Sequence, residues 1–360
     1  MTELQPANVN TAKHRIVIHA GFGKCGSSSI HRALYQNIAR LRENRIHLFD
    51  KNLEIAADDK PGGLADVFLK ASKKRGDQLT ERLAGGIESV AGQNGPAMAV
   101  LSSVTLSSKG MPQLFAGLDQ RCDVSVVFYA RPQWQWIPSA WQQWVLKRGR
   151  SLDEFVSQCL QIGRPAFRVH VEEWQSAMPA AKFRVRFLIS ELLKGRDPAR
   201  DFFHLLGLPE DTYRFEEEAR NTSLDFALLH VLSKNPHLFT GIHDNRVRQG
   251  LRQALAKRFQ TANIRMLSSE QEAKIEEFFR EENLWLLKHY GEEIDVDEIY
   301  RRHFLAPKAG VRYSDVTEMD VIYRCLGIML EAVAVRRQER PAQKRGPRAQ
   351  SKPQNEAPAE

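Results

Sequence analysis

A glycine-rich segment near the start of the chain carries the residues best suited to bind an anion. Residues 19–30 read HAGFGKCGSSSI and follow an apolar run at 16–18. Glycines allow a tight turn that aims successive backbone N–H groups at one point, and Lys24 adds a full positive charge. A helix beginning near Ser27 would add further N–H donors and the positive end of its dipole. This spacing predicts a site for a dianion-like group.

The residue order in this segment argues against a nucleoside triphosphatase. Such a loop reads G-x-x-x-x-G-K-[ST], with the hydroxyl after the lysine on magnesium. Here Lys24 precedes the last glycine, in the order Lys24–Cys25–Gly26–Ser27. The apolar run 124–129 is followed by Ala130 and Arg131, not by the aspartate that holds the metal in that class. A nucleotide kinase or NTPase is therefore the alternative, and an anion site without a metal is favoured.

Further polar candidates follow the apolar run 124–129. Arg131 comes at its end, where ligands of open α/β sheets collect, and a guanidinium binds a phosphate bidentately. Residues 221–223 read Asn-Thr-Ser and are typical of a helix N-cap.

The elements that must position these residues alternate along the first 210 residues. Strands are predicted at 15–20, 45–49, 97–102, 124–129 and 183–189, and helices at 28–42, twice within 64–90, and at 111–119, 133–148 and 198–206. Strand–helix alternation predicts an α/β fold, a three-layer sandwich with a central parallel sheet. Helical patterns at 224–233, 246–259, 268–289 and 319–336 predict a helical C-terminal region packed on the same domain.

Four segments together resemble the PAPS-dependent sulfotransferases, which have a P-loop NTPase-like fold. They are GFGKCGSSS, VVFYARPQWQWIPSAWQQW, DFFHLLGLPE and RNTSLDFAL, and the likeness spans about residues 15–290. It is strongest to bacterial members that act on carbohydrates or lipids. The resemblance implies transfer of a sulfuryl group from 3′-phosphoadenosine 5′-phosphosulfate (PAPS) to a hydroxyl of a glycan or glycolipid, with no metal required. Because the first loop in this family holds the 5′-phosphosulfate, it assigns that role to Gly21, Phe22, Gly23, Lys24, Cys25, Gly26, Ser27 and Ser28.

The resemblance also assigns the far end of the donor and the catalytic lysine. Arg131 and Ser139 would bind the 3′-phosphate, and Ser223 would contact a phosphate of the same molecule. Lys24 would meet the negative charge that develops on the leaving group. If the fold kept PAPS but lost the chemistry, the chain would be a non-catalytic PAPS-binding relative, which is the second alternative.

The general base is the least defined part of the site. Related bacterial sequences carry Ser-Ser-Glu at the end of the third strand, where this chain has Ser102-Ser103-Val104. His47 and Asp50, near the end of the second predicted strand, are the substitutes, and His19 is a third candidate with a more structural expectation. Ser103 and Thr105 could instead bind the acceptor or the adenosine.

Four tryptophans crowd the helix predicted at 133–148. By helical spacing, Trp134 and Trp141 share a core face, while Trp136 and Trp144 either pack or stack on a sugar from the cleft. The apolar stripe in 319–336, from Val321 to Val333, either packs in the core or forms a homodimer contact.

Charge and composition limit the remaining possibilities. Of the net charge of +8, residues 336–360 supply 7 − 3 = +4 in a Pro- and Gln-rich stretch, so 338–360 is predicted to be a disordered basic tail. No groove-reading motif points to nucleic acid. The four cysteines are scattered, and no run reaches 18 apolar residues, so a cytoplasmic protein without a transmembrane segment is expected. The predicted organisation is a flexible N-terminus at 1–13, a sulfotransferase domain at 14–310 and a C-terminal helix at 311–337.

Overall fold

A central parallel sheet organises the protein, as the strand–helix alternation predicted. The structure is a computed structural model that describes residues 13–57, 65–91, 95–215, 224–255, 264–291, 294–307 and 310–338. Its strands are β1 (Arg15–Ala20), β2 (Ile46–Leu48), β3 (Met98–Ser103), β4 (Asp123–Ala130) and β5 (Lys182–Phe187). They form one five-stranded sheet in the order β2-β3-β1-β4-β5. The α/β class is confirmed, and helices and sheet together are consistent with an α/β sandwich.

The strands at the centre are the ones with apolar residues at most positions. In β1, residues Ile16 to Ala20 are all buried, and β4 is buried from Val124 to Ala130. A strand covered on both faces reads as a continuous apolar run, which is why these two were predictable. Ala20 pairs with Ser103 and His19 with Val127, so the carboxyl ends of β1, β3 and β4 lie side by side.

Nine helices of the described residues belong to the half that carries the sheet. They are α1 (Ser27–Gln36), α2 (Ile38–Glu43), α3 (Asp66–Arg75), α4 (Thr80–Ala91), α5 (Leu118–Arg121), α6 (Gln133–Ala140), α7 (Leu152–Ile162), α8 (Phe167–Ala177) and α9 (Pro198–Leu205). The helix predicted at 28–42 breaks at Asn37, whose Nδ2 donates to the carbonyls of Ala33 and Arg214 at 2.8 Å each. The helices α7 and α8 were not predicted.

The helical half follows and shares the core of the sheet. Its helices are α10 (Phe226–Lys234), α11 (Arg246–Ala254), α12 (Ser269–Tyr290), α13 (Val296–Ile299) and α14 (Glu318–Gln338). One continuous hydrophobic cluster runs from Ile16 of β1 to Phe304, and α12 contributes Ile275, Phe279 and Leu286 to it. The predicted domain bounds stay predictions.

The helix predicted at 133–148 is irregular. Only α6 is α-helical; Trp141–Val145 forms a π-helix and Leu146–Arg148 a 3-10 helix. Gln133 is buried and pairs with the Asn283 amide at 2.9 and 2.8 Å. Because hydrophobic spacing counts a glutamine as an outward residue, the buried face is rotated from the predicted one: Trp136 and Trp141 are buried, and Trp134 and Trp144 are half-buried. Trp141 is buried as predicted, and the half-buried Trp134 packs against the core cluster.

The apolar stripe of α14 is mostly solvent-exposed. Val321 is buried, whereas Ile322, Leu326, Met329, Leu330 and Val333 are each about half or more exposed. Packing in the core of this chain is therefore wrong for those five residues. None of the helices in the described ranges is long and apolar enough to cross a membrane. The predicted flexible N-terminus and basic tail lie outside the described residues, apart from Lys13 and Gln338.

Candidate functional site

The loop between β1 and α1 is tied to the neighbouring strand and contains one unusual backbone conformation. The Gly21 N–H donates to the Ser103 carbonyl at 3.1 Å, which fixes the loop to the end of β3. Lys24 has φ of 69° and Gly26 has φ of 88°. Left-handed backbone costs a residue with a Cβ on the order of 1–2 kcal/mol, and such strain concentrates at ligand sites. Lys24 is therefore held in a conformation that its own preferences oppose.

The three loop glycines are required by close packing. A Cβ on Gly21 would lie 2.5 Å from Ser27 Oγ, one on Gly23 would lie 2.8 Å from Trp144 Cη2, and one on Gly26 would lie 2.9 Å from Pro198 Cβ. Glycine permits these approaches because it has no side chain. Three elements therefore confine the loop: α1 through Ser27, the π-helical segment Trp141–Val145 through Trp144, and α9 through Pro198.

The start of α1 supplies backbone donors, while some loop side chains turn away. Its first-turn N–H groups, on Ser27 and Ser28, have no acceptor within the helix. The Ser27 hydroxyl donates to the Phe22 carbonyl at 3.2 Å, so it belongs to the loop itself, and Ser28 is exposed. Donors and the helix dipole together favour an anion here.

Phe22 and Cys25 do not present side chains to a ligand. The Phe22 ring lies 4.7 Å from the Phe167 ring and 5.7 Å from the Phe128 ring, between centroids. Cys25 is fully buried, and burial raises the pKa of its thiol to about 12. Both were predicted to bind the donor; only their backbone groups are available for that role, because both side chains are apolar and fill the core.

Two tryptophans hold the loop from the opposite side. Trp136 Nε1 donates to the Gly23 carbonyl at 2.8 Å, and the Trp144 ring packs on Gly23. The exposed guanidinium of Arg164 lies 5.8 Å from the Trp136 ring and 5.9 Å from the Trp144 ring. Since Trp136 is buried, it positions the loop and does not face the cleft as a sugar platform; Trp144 is the half-buried ring of the pair.

Arg131 connects the loop to a cavity. Its Nη1 donates to the Lys24 carbonyl and its Nε to Gln135 Oε1, each at 3.4 Å. Burial lowers the pKa of Arg131, yet an arginine stays protonated in proteins. Arg131 and Ser139 line the same cavity of about 200 Å³. The structure therefore brings together the two residues that the family resemblance paired.

The remaining wall of this cavity combines apolar and cationic groups. It is formed by Trp134, Met266, Leu267 and the ion pair of Arg265 with Glu272. Arg312 also approaches Glu272, at 3.6 Å. Arg131 and Arg265 in the lining face one carboxylate, Glu272, so the cavity carries a net positive charge beside apolar surface, which suits a ring bearing a phosphate.

His47 is not brought to the loop, and Asp50 is engaged in a turn. His47 pairs with Ala99, and Ala99 pairs with Ile16, at the far end of β1 from Gly21. Five residues of strand span about 16 Å, so the prediction of His47 as base for the loop is wrong in position. Asp50 Oδ1 accepts the backbone N–H groups of Asn52 and Glu54, at 2.7 and 2.9 Å, and so stabilises a turn. The role of Asp50 as base stays a prediction.

His19 lies near the loop but is enclosed. Its Nδ1 is 2.6 Å from Ser102 Oγ, and its ring is fully buried beside Tyr129 and Phe202. Burial and then the neighbouring His31 lower its pKa well below the usual value. The ring is neutral and structural in this position.

A carboxylate that sequence reasoning missed lies at the end of β3. Asp66, the first residue of α3, accepts a short hydrogen bond from the Ser103 hydroxyl and a longer one from the Thr105 N–H, at 3.4 Å. It also acts electrostatically on His31 and Tyr35 of α1. Ser103 is the residue whose carbonyl holds Gly21, so this carboxylate stands beside the loop. Ser103 and Thr105 are both buried, and the Ser103 hydroxyl is engaged with Asp66, so neither residue presents an exposed side chain to a ligand.

Ser223 lies outside the described residues. Among those described, no three metal-ligating side chains are grouped, and the absence of a metal requirement stays a prediction. Comparison with protein-family models and with curated proteins finds no match for this chain.

Proposed function

We propose that this protein is a sulfotransferase of P-loop-like fold that moves the sulfuryl group of PAPS to a hydroxyl of a carbohydrate or lipid-linked acceptor. The proposal rests on one observation above all: Arg131 touches the Lys24 carbonyl while lining a cavity with Ser139. The two ends of one phosphorylated donor would therefore meet a single continuous surface.

Different residues bind the two ends of the donor in this proposal. The N–H groups of Ser27 and Ser28 and the charge of Lys24 bind the sulfated 5′ end, and Arg131 with Ser139 binds the 3′-phosphate. The apolar wall at Trp134 and Met266 fits a base or ribose face. The backbone strain at Lys24 supports a ligand-binding role for this residue.

Transfer forms a bond between the acceptor oxygen and sulfur and breaks the bond between sulfur and the bridging oxygen. The ammonium of Lys24 meets the negative charge that develops on that bridging oxygen, which leaves with adenosine 3′,5′-bisphosphate. In this proposal the acceptor's proton passes to Asp66, because it is a carboxylate fixed at the strand end beside the loop. The Ser103 hydroxyl orients it.

Ligand-dependent thermal unfolding tests the proposal. A ligand that binds only the native state raises the melting temperature, by mass action. Adenosine 3′,5′-bisphosphate should raise it in the absence of magnesium, and ATP with magnesium should raise it less. A preference for ATP would contradict the proposal in favour of a kinase or NTPase. Binding of PAPS without sulfation of any acceptor in a glycan and glycolipid panel would instead favour the non-catalytic relative.

A further inference from the structure

The exposed face of α14 repeats with the spacing of a coiled-coil seam. Met319, Ile322, Leu326, Met329 and Val333 follow one another in steps of three, four, three and four residues. Tyr323 and Leu330 flank this line, seven residues apart. All seven side chains are between 48% and 72% exposed. When apolar residues alternate at spacings of three and four, they stay on the side of the helix that faces a single partner helix. Apolar residues at irregular spacing would not.

The opposite face of α14 is already packed on its own chain. Val321 and Ile328 are buried, and Ile328 contacts Leu255 in a small cluster. Arg324 donates to the buried Asp225 at 2.9 Å, which ties the helix to the start of α10. The exposed line is therefore not needed to attach α14 to the domain, and α14 presents it at a fixed orientation.

The charges on α14 argue against an anionic membrane as the occupant of this line. Membrane-surface helices carry lysine and arginine on their polar face. The sequence of α14 instead has three acidic residues (Glu318, Asp320 and Glu331) against three basic ones (Arg324, Arg336 and Arg337), and Arg324 is paired with Asp225. The helix therefore lacks the basic excess with which a membrane-surface helix is attracted to anionic lipid.

We infer that the protein forms a homodimer in which α14 of two copies pair along the line from Met319 to Val333. A two-fold axis joins the same patch on both copies, so one self-complementary seam is sufficient. Pairing would bury on the order of 700 Å² per copy, or about 1,400 Å² in total, from the seven half-exposed apolar side chains. This area lies within the roughly 1,200–2,000 Å² that specific, stable interfaces bury. The inference does not depend on the proposed chemistry.

Mass measurement in solution tests this inference on the full chain. Light scattering after size exclusion, from about 1 to 100 µM protein, should give twice the chain mass of 41.1 kDa. The double variant Leu326→Glu/Leu330→Glu should raise the dissociation constant more than about 100-fold, because each change occurs twice across the axis. A matched control, Ile162→Glu/Val169→Glu, alters two exposed apolar residues on α7 and α8 and should leave the dimer intact.

Circular dichroism and thermal unfolding check that both variants fold. A monomeric wild type across the whole range would overturn the inference, and so would a seam variant that folds and dimerises like the wild type. Flotation with phosphatidylcholine–phosphatidylserine vesicles tests whether the apolar line binds a lipid surface instead of a second copy. A monomeric wild type that floats, with a seam variant that does not, would assign the line to a lipid surface instead.

Discussion

Two cavities, one beside the edge strand β2 and one beyond the carboxyl end of β4, each contain basic side chains, yet they differ in how these charges are paired. At the β2 edge a cavity of about 640 Å³ is lined by Arg42, His47 and Arg82. Arg82 pairs with Glu54 at 2.8 Å, and Arg42 donates to the Ala56 carbonyl at 2.7 Å. Beyond the carboxyl end of β4 the cavity is smaller, and Arg131 there donates to the Lys24 carbonyl and to Gln135 Oε1, which are both neutral acceptors.

The difference shows that volume and basic residues do not by themselves make an anion site. Arg82 has its charge compensated by a carboxylate inside the protein, whereas Arg131, held by carbonyl and amide oxygens, keeps its charge for a ligand. Arg42 is also held by a carbonyl oxygen, so the second distinction is decisive: only the cavity beside Arg131 adjoins the loop that carries the start of α1 and the strained Lys24. We therefore expect the anionic ligand to bind at the smaller cavity.

Lys24→Ala should give the largest effect. Removing one donor to the developing charge typically lowers the rate by roughly 100- to 1,000-fold. Sulfuryl transfer measured by mass spectrometry of the product should fall by that amount, with an unchanged circular dichroism spectrum. Lys51→Ala, an exposed lysine beside the β2 edge, is the control and should keep wild-type rates. Equal rates for both variants would contradict the role of the loop.

Asp66→Asn tests whether the general base is Asp66, beside the loop, or a residue at the β2 edge. General base catalysis contributes about 100-fold or more, so kcat should fall by about 100-fold and lose its acidic limb in the pH–rate profile. The asparagine can still accept the Ser103 hydrogen bond, which separates proton transfer from positioning. His47→Ala and Asp50→Asn should stay within about threefold of the wild type. If His47→Ala lost the acidic limb instead, the base would lie at the β2 edge.

The buried histidine of α1 should make stability depend on pH. Burial lowers the pKa of His31 to about 4, so the folded state resists protonation. Its contribution is fully present above pH 6.5 and is lost as pH falls from 6.5 towards 4, because the unfolded chain binds the proton more readily. Between pH 7 and 4.5 this amounts to roughly 2–3 kcal/mol of unfolding free energy.

Urea unfolding at several pH values measures this dependence. His31→Leu should flatten the loss of unfolding free energy between pH 7 and 4.5. His47→Leu should change it less, since His47 is only half-buried. Identical pH dependence in the wild type and His31→Leu would show that His31 titrates normally.

Arg131→Ala against Arg82→Ala compares the two cavities directly. Loss of a charge-assisted hydrogen bond should weaken binding of adenosine 3′,5′-bisphosphate about 30-fold for Arg131→Ala. Arg82→Ala should leave the dissociation constant within about twofold. Titration calorimetry measures both, and a stronger effect of Arg82→Ala would move the site to the β2 edge.

The sheet was accessible from sequence because its strands are short apolar runs. The bounds of β1 were predicted as observed, and β4 and β5 within a few residues, since burial on both faces leaves little ambiguity. The pairing of Arg131 with Ser139 came from the resemblance to the sulfotransferases, and the structure places both residues in the lining of one cavity. Here local pattern and tertiary packing agree.

What the sequence could not supply depends on distant contacts. Asp66 stands 37 residues before Ser103 in the chain, and only the fold brings the two together. The buried hydrogen bond between Gln133 and Asn283 places a glutamine of α6 in the core, and hydrophobic spacing alone could not predict this. The helices α7 and α8 were missed although Ser151 and Glu154 form a capping box at the start of α7, a signal that was present in the sequence.

A crystal structure with bound adenosine 3′,5′-bisphosphate tests the central claim most directly. The claim predicts the 5′-phosphate within hydrogen-bonding distance of the Ser27 and Ser28 N–H groups and the Lys24 ammonium. It predicts the 3′-phosphate on Arg131 and Ser139. The nucleotide in the cavity lined by Arg42, His47 and Arg82, or anywhere that leaves Lys24 and Arg131 without contact to it, would contradict the account.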